Sequence, residues 1–181
     1  MQQDNIEEIL IKKVSVFKSK INLHIVDTIL DYTKNNVSKF KSKTWNCNTL
    51  TSVNISTNIL YDVQEFKYVK ENIEKSIKNL LIQNLNKEIP FMIHESWINI
   101  LGKKGYQEFH KHSDSFGSGV LYLTDDNSSI EFAVFPEDIR KQITPKKSDL
   151  LIFDSETFHR VLESNKERYT LAFNFKVNHA A

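Results

Sequence analysis

The sequence predicts a mainly β protein with flanking helices, an α+β chain whose strands close into a sandwich or barrel buttressed by N-terminal helices. Three observations predict it. Short apolar or alternating runs succeed one another from Phe91 to Val177, clusters of turn-forming residues separate them, and a long amphipathic pattern precedes them.

Taken in order, Ile9 to Phe17 is β-branched and partly alternating, which predicts a strand, and Leu23, Val26, Leu30 and Thr33 then recur at helical spacing. Trp45 to Leu60 is rich in Asn, Thr and Ser and predicts a loop or an edge strand. The clearest helix starts at Asp62, whose side chain can cap with Glu65 three residues on. It runs through Phe66, Val69, Ile73, Ile77, Leu80 and Leu85, most of them spaced to fit one apolar stripe, and Pro90 lies beyond its end. Such a helix is more often a buttress packed on a sheet than a partner-binding element.

Strands are then predicted over Phe91 to Leu101, Tyr106 to His112, Ser118 to Thr124, Ile130 to Phe135, Leu150 to Phe153, Phe158 to Leu162 and Arg168 to Val177. The turns between them are Gly102 to Gly105, Asp125 to Ser129, Pro136 to Asp138, Pro145 to Asp149 and Ser164 to Glu167. The length suits a single domain over 1–181, with an N-terminal strand and buttressing helices in 1–88 and a β core in 89–178.

Composition narrows the function classes. A formal net charge of +1, from 24 basic and 23 acidic side chains, provides no field to draw in a polyanion or a membrane surface, so nucleic acid is not an expected partner. Lys-rich stretches alternate with apolar or acidic residues and read as solvated faces. The single cysteine, Cys47, excludes an intramolecular disulfide and fits a reducing compartment. No stretch has the roughly 20 apolar residues of a membrane span, which makes a cytoplasmic location the default.

The chemistry concentrates in three places. His110, His112 and Asp114 alternate, so an extended chain aims all three the same way, and two imidazoles side by side suit a metal. His159 opens a later strand and is the natural third ligand; His24, His94 and His179 read as structural or incidental. In the last strand Tyr169, Leu171, Phe173, Phe175 and Val177 share one face, while Arg168, Thr170, Ala172 and Asn174 share the other. An inward Arg beside a Thr is made to grip a carboxylate, because its guanidinium fork is bidentate. The bland alternative is a surface ion pair of Arg168 with Glu163 or Glu167.

The run from Tyr106 through His110 and His112, followed by Ser118-Gly-Val-Leu-Tyr-Leu, resembles the 2-oxoglutarate/iron oxygenase family related to prolyl hydroxylases. Asp149-Leu-Leu-Ile-Phe, His159-Arg-Val and Glu167-Arg168-Tyr-Thr continue the likeness in order, over roughly residues 91 to 177. The resemblance implies a double-stranded β-helix, or jelly roll, with iron(II) on three protein ligands. It also implies 2-oxoglutarate chelating that iron, with Arg168 and Thr170 holding the far carboxylate and Tyr122 and Asn174 beside it.

The implied reaction is a dioxygenase hydroxylation that releases succinate and CO2, and the resemblance admits ascorbate as an accessory reductant. A small-molecule or peptidyl substrate would enter near His110, Trp97, Asn99 and the Ser113 to Gly117 loop, which Gly117 and Gly119 could let move. The family's pattern is a His with an Asp or Glu two residues on. Here either His110 and His112 take those positions, giving three histidines with His159, or the frame slides and Asp114 replaces His110 as a ligand beside His112. Two rivals remain: a cupin, disfavoured because no glutamate follows His112 until Glu131, and a metal-free jelly roll for binding or structure. Substrate and oligomeric state are not written in the sequence.

Overall fold

The computed structural model describes residues 6–11, 14–42 and 47–178. His179, read above as incidental, lies outside the described residues, as does Trp45. The predicted first strand is a hairpin of β1 (Glu7–Ile11) and β2 (Val14–Lys20). Helix α1 (Leu23–Asn36) follows, capped by the Asn22 side chain, which accepts from the His24 amide at 2.9 Å. It buries Val26, Leu30 and Thr33 as the spacing predicts, and Ile29 besides, whereas Leu23, expected on the same stripe, is exposed at the first position of the helix.

Strand β3 (Lys41–Ser42) pairs with β4 (Cys47–Thr51), so the polar stretch supplies a strand as well as a loop. A short helix, α2 (Ile59–Asp62), and a 3-10 turn (Gln64–Phe66) precede the long helix α3 (Lys67–Leu85). The expected start at Asp62 is therefore five residues early. Val63 is extended (φ −100°, ψ 112°) and breaks the helix, and Asp62 closes α2 while accepting from the Ser56 hydroxyl instead of capping α3.

The β core begins with β5 (Phe91–His110), one 20-residue strand where two strands and a turn were expected. The Gly102 to Gly105 turn is absorbed by a left-handed Lys104 (φ 59°), which redirects the strand without ending it. Then come β6 (Gly117–Tyr122), β7 (Ile130–Val134), β8 (Ile139–Ile143), β9 (Asp149–Asp154), β10 (Phe158–Val161) and β11 (Arg168–Val177). Strand β8 was not anticipated. Its Ile-Arg-Lys-Gln-Ile stretch is exposed except for Ile143, as suits a charged strand at the end of the sheet order.

The strands run β1-β2-β9-β6-β11-β5-β10-β7-β8, all antiparallel, and β4 joins the other edge of β5. β5 is the turning point: residues 91–101 pair with β11, while Gln107 and His110 pair with β10. One strand thus serves both walls of a curled sheet, the double-stranded β-helix. Helices α1 and α3 cover its outer face, where Ile73 and Ile77 join Phe173, Phe175 and Leu121 in the main core. A smaller core of Val16, Tyr122, Ile130, Phe132, Leu151 and Phe153 fills part of the interior between the walls.

Gly117 and Gly119 do not form a hinge. Both lie in β6, and a Cβ there would stand 2.4 Å from the Phe175 ring and 2.1 Å from the Phe173 ring. Glycine is needed so that the aromatic face of β11 can lie flat on its neighbour.

Candidate active site

The inner faces of β5, β6, β10 and β11 enclose a cavity of about 480 Å³. Strand alternation decides which side chains reach it. From β11 these are Arg168, Thr170, Ala172 and Asn174, and from β6 Ser118, Val120 and Tyr122. From β5 they are Glu95, Trp97 and Asn99, then Gln107, His110 and, just past the strand, His112; β10 adds His159.

The three histidines converge. His159 lies directly opposite His110 across the β5–β10 pair, and ligand atoms of His110, His112 and His159 all lie within 4.8 Å of one another. Their ring centroids are 4.2 Å (His110–His159), 5.2 Å (His110–His112) and 5.4 Å (His112–His159) apart. Nδ1 of His159 donates to the Thr157 carbonyl at 2.9 Å and Nδ1 of His110 to the Glu108 carbonyl at 2.8 Å. Those bonds assign the proton to Nδ1 and leave Nε2 as the lone-pair atom in both rings. The Gln107 amide donates to His110 Nε2 at 3.1 Å.

Burial pushes all three imidazoles down from their ordinary range. His112 falls to about 4, with the neighbouring His110 charge as a second cause, and the almost fully buried His159 falls well below 6.5. At neutral pH the three rings are uncharged, the state that ligates a metal. Asp114 is exposed in the turn after β5 and is not part of this cluster.

The deep end is built around Arg168, which is 1% exposed. Its Nε donates to Asp126 Oδ2 at 2.5 Å and its Nη2 to the Ser128 hydroxyl, while Nη1 has no partner. Asp126 Oδ1 in turn accepts from the Ser128 amide and hydroxyl, both at 2.9 Å. The partner of Arg168 is thus buried Asp126, not Glu163 or Glu167. Two faces of the fork are held by protein, and the third can serve an anion within the cavity. Tyr122 packs its ring 5.6 Å from the guanidinium carbon, and burial raises its phenol above the usual range.

Near the histidines, Asn174 links three groups. It accepts from Ser118 Oγ at 2.7 Å, donates to Glu95 Oε1 at 2.7 Å, and rests 3.3 Å from His112 Nδ1. Trp97 stands with its ring 6.1 Å from that of His112. Glu131, the first glutamate after the histidine pair, instead accepts from Arg160 and Gln142 and does not line the cavity, so the structure gives a cupin-type glutamate no place. His94 bonds Ser115 and His24 starts α1, both away from the cluster.

Sequence reasoning missed Asp126, Ser128, Gln107 and Glu95. Asp126 and Ser128 sat in a stretch recognised only as a turn. Glu95 was legible, since it precedes Trp97 by two residues and shares its face.

Residues 97–176 match the model of the 2OG-Fe(II) oxygenase superfamily. No curated protein matches the sequence. Among solved structures, a Pseudomonas putida prolyl-4-hydroxylase superposes with a TM-score of 0.70 at 14% identity, over 92% of this chain and 95% of that one. A viral collagen prolyl hydroxylase from Paramecium bursaria Chlorella virus-1, in its 2-oxoglutarate complex, gives 0.64 at 14%, over 91% and 96%. HygX from Streptomyces hygroscopicus, with nickel, 2-oxoglutarate and hygromycin B bound, gives 0.62 at 9%, over 90% and 82%. These likenesses share the double-stranded β-helix fold, and the match over 97–176 makes the β core similar to the 2OG-Fe(II) oxygenase superfamily, which supports an oxidoreductase with iron(II) and 2-oxoglutarate as cofactors.

Proposed function

We propose that this chain is a dioxygenase that hydroxylates a small-molecule or peptidyl substrate, with His110, His112 and His159 holding the iron and Arg168 receiving the far carboxylate of 2-oxoglutarate. The observation that carries the reading is the pairing of two features of one cavity: three neutral imidazoles within 4.8 Å, and a buried guanidinium with one unpartnered N–H. The donor set fits the groups. Imidazole suits iron(II), and an orphaned Nη1 suits a carboxylate oxygen.

When bound, iron(II) and 2-oxoglutarate would let dioxygen take two electrons from the keto acid, giving CO2 and a succinate that carries one oxygen atom, and two from a substrate C–H, which would take the other oxygen atom as a hydroxyl. The protein's part is placement. The carbonyls of Thr157 and Glu108 fix the tautomers of His159 and His110, and Asp126 and Ser128 hold Arg168 with one face free. Thr170 adds a hydroxyl one alternate position along β11 with Tyr122 opposite it on β6, and Asn174 lines the same cavity at the histidine end. Apolar Val120, Ile130, Phe153 and Val161 exclude water from the remaining wall. Trp97 and Asn99 stand where substrate would meet the site.

We also propose that 1–181 acts as one domain, because β2 and β4 from the N-terminal half pair directly with β9 and β5. No helix among the described residues is long and apolar enough to cross a membrane. Cytoplasmic residence is our reading from the lone Cys47.

Metal titration with nickel(II) or cobalt(II) as iron surrogates tests the ligand set. His110→Ala, His112→Ala and His159→Ala should each weaken binding by more than about 100-fold, beyond the usual cost of losing a group behind a ligand. Asp114→Ala should leave binding unchanged; a collapse of binding in that variant, with His110→Ala near wild type, would move the site to the alternative frame.

A further inference from the structure

Asp126 stands outside the lining of the cavity, in the segment between β6 and β7, and keeps 2% of its side chain exposed. Its Oδ2 accepts from Arg168 Nε at 2.5 Å, and its Oδ1 accepts from the Ser128 amide and hydroxyl at 2.9 Å each. Ser128 Oγ accepts in turn from Arg168 Nη2. The Nε–Nη2 edge of the guanidinium is therefore closed by protein, and Nη1 is the nitrogen left over.

The other buried carboxylates have cations of their own: Asp149 pairs with Lys18 at 3.0 Å and Lys20 at 3.1 Å, and Glu131 with Arg160 at 2.8 Å. Glu95 also lines the cavity, but it lies opposite Asn174, six residues and about 20 Å along β11 from Arg168. The Arg168–Asp126 pair is thus neutral before any anion arrives. A carboxylate entering at Nη1 gains hydrogen bonds to an ionised donor, and meets Asp126 across the guanidinium as a like charge in a water-poor setting. Beside an unpaired Arg168 the same carboxylate would supply the counter-charge of a buried cation, which is a far larger gain.

We propose that Asp126 is a positioning residue that sets the affinity for the cosubstrate: it fixes which edge of Arg168 faces the cavity and, by neutralising it in advance, keeps the contribution of the far carboxylate small. The inference rests on Arg168 receiving that carboxylate of 2-oxoglutarate, as read above.

The test follows binding, not turnover. The full chain, kept anaerobic with iron(II), is titrated with 2-oxoglutarate and with 2-oxopentanoate, which has a methyl group in place of the far carboxylate. The charge-transfer absorption of the chelated keto acid gives each half-saturation. Wild type should prefer 2-oxoglutarate by about 10- to 150-fold, the range for hydrogen bonds to a charged group. A larger preference, in the range for repairing an unpaired buried charge, overturns the proposal without any variant. In Asp126→Asn, or in Asp126→Ser should the first not fold, half-saturation for 2-oxoglutarate should fall by about tenfold while that for 2-oxopentanoate stays unchanged.

Equal or weaker 2-oxoglutarate binding in those variants overturns the proposal. A parallel change for both keto acids does so too, because a merely distorted pocket does not tell them apart. No preference in the wild type removes the far carboxylate from Arg168, and the proposal with it, while leaving keto acid chelation intact. Failure of the wild type to form the band overturns the oxygenase reading itself, and the proposal falls with it.

Discussion

At the Arg168 end of the cavity the charged groups are buried and tied to one another, whereas at the His112 end buried His159 and Asn174 stand beside half-exposed His110, His112 and Glu95. Arg168 and Asp126 each keep 2% of side-chain exposure and share a 2.5 Å bond, and Ser128 closes the triangle. His110, His112, Glu95 and Trp97 are all partly exposed. The position of each end on β11 and β5 explains the difference. Arg168 starts β11 and is bonded by Asp126 and Ser128 of the segment between β6 and β7, so that segment folds over it; His112 lies two residues beyond the end of β5. The deep end is held by its own hydrogen bonds with one N–H of Arg168 left over, whereas the open end is less tightly tied.

The contrast can be broken at its strongest point first. Asp126→Ala leaves a buried guanidinium without its counter-charge, and we expect a loss of about 3–5 kcal/mol, read as a lower urea midpoint. Asp126→Asn, which keeps a hydrogen-bonding shape without the charge, should lose less. A near-neutral Asp126→Ala would mean that the pair is not the anchor of the deep end.

Next in size is the flat packing behind the site. Gly119→Ala drives a methyl group against the Phe173 ring, at an expected cost of about 1–3 kcal/mol. Gly119→Ala combined with Phe173→Leu should recover part of the loss. Equal unfolding midpoints in both variants would show that the ring moves freely aside.

The open end should announce itself through pH. Burial lowers the folded-state values of His110, His112 and His159, that of His112 to about 4, while unfolded imidazoles take up protons near 6.5. The unfolded chain therefore binds more protons below about 6.5, so the metal-free protein should lose stability as pH falls from about 6.5 towards 4. Urea midpoints measured at pH 7.5, 6 and 5 should decline, with a shallower decline in His159→Ala. A midpoint that rises on acidification would contradict the buried, neutral cluster. The smallest effect belongs to the surface: Lys111 and Glu156 pair while substantially exposed, and Lys111→Ala should shift stability by no more than about 1 kcal/mol.

Most of the β core was legible because its residues repeat with period two, and β11 was readable to the residue, including which face is polar. Helix α1 was readable for a similar reason, its buried stripe matching the 3.6-residue period. The failures have local causes. The start of α3 was misplaced because Asp62 and Glu65 form a plausible capping pattern that an extended Val63 overrides. β5 was split because Gly102 and Gly105 suggest a turn, whereas a single left-handed residue at Lys104 accommodates the bend. β8 carries too little apolar signal to be seen, since an exposed edge strand need not bury a face.

Within the cavity, the convergence of His110, His112, His159 and Arg168 was visible because residue spacing and strand alternation are sequence properties. The Asp126–Arg168 pair was not, because its partners are 42 residues apart and meet only when β6, β7 and β11 assemble.

The central claim, that one cavity binds iron at its histidines and 2-oxoglutarate between that iron and Arg168, is tested most directly by anaerobic titration with iron(II) and then 2-oxoglutarate. The account predicts a weak visible charge-transfer band that saturates at one equivalent of each, is abolished in His159→Ala, and requires much higher 2-oxoglutarate in Arg168→Ala. Iron binding with no band on adding the keto acid, or a band indifferent to both substitutions, would contradict it.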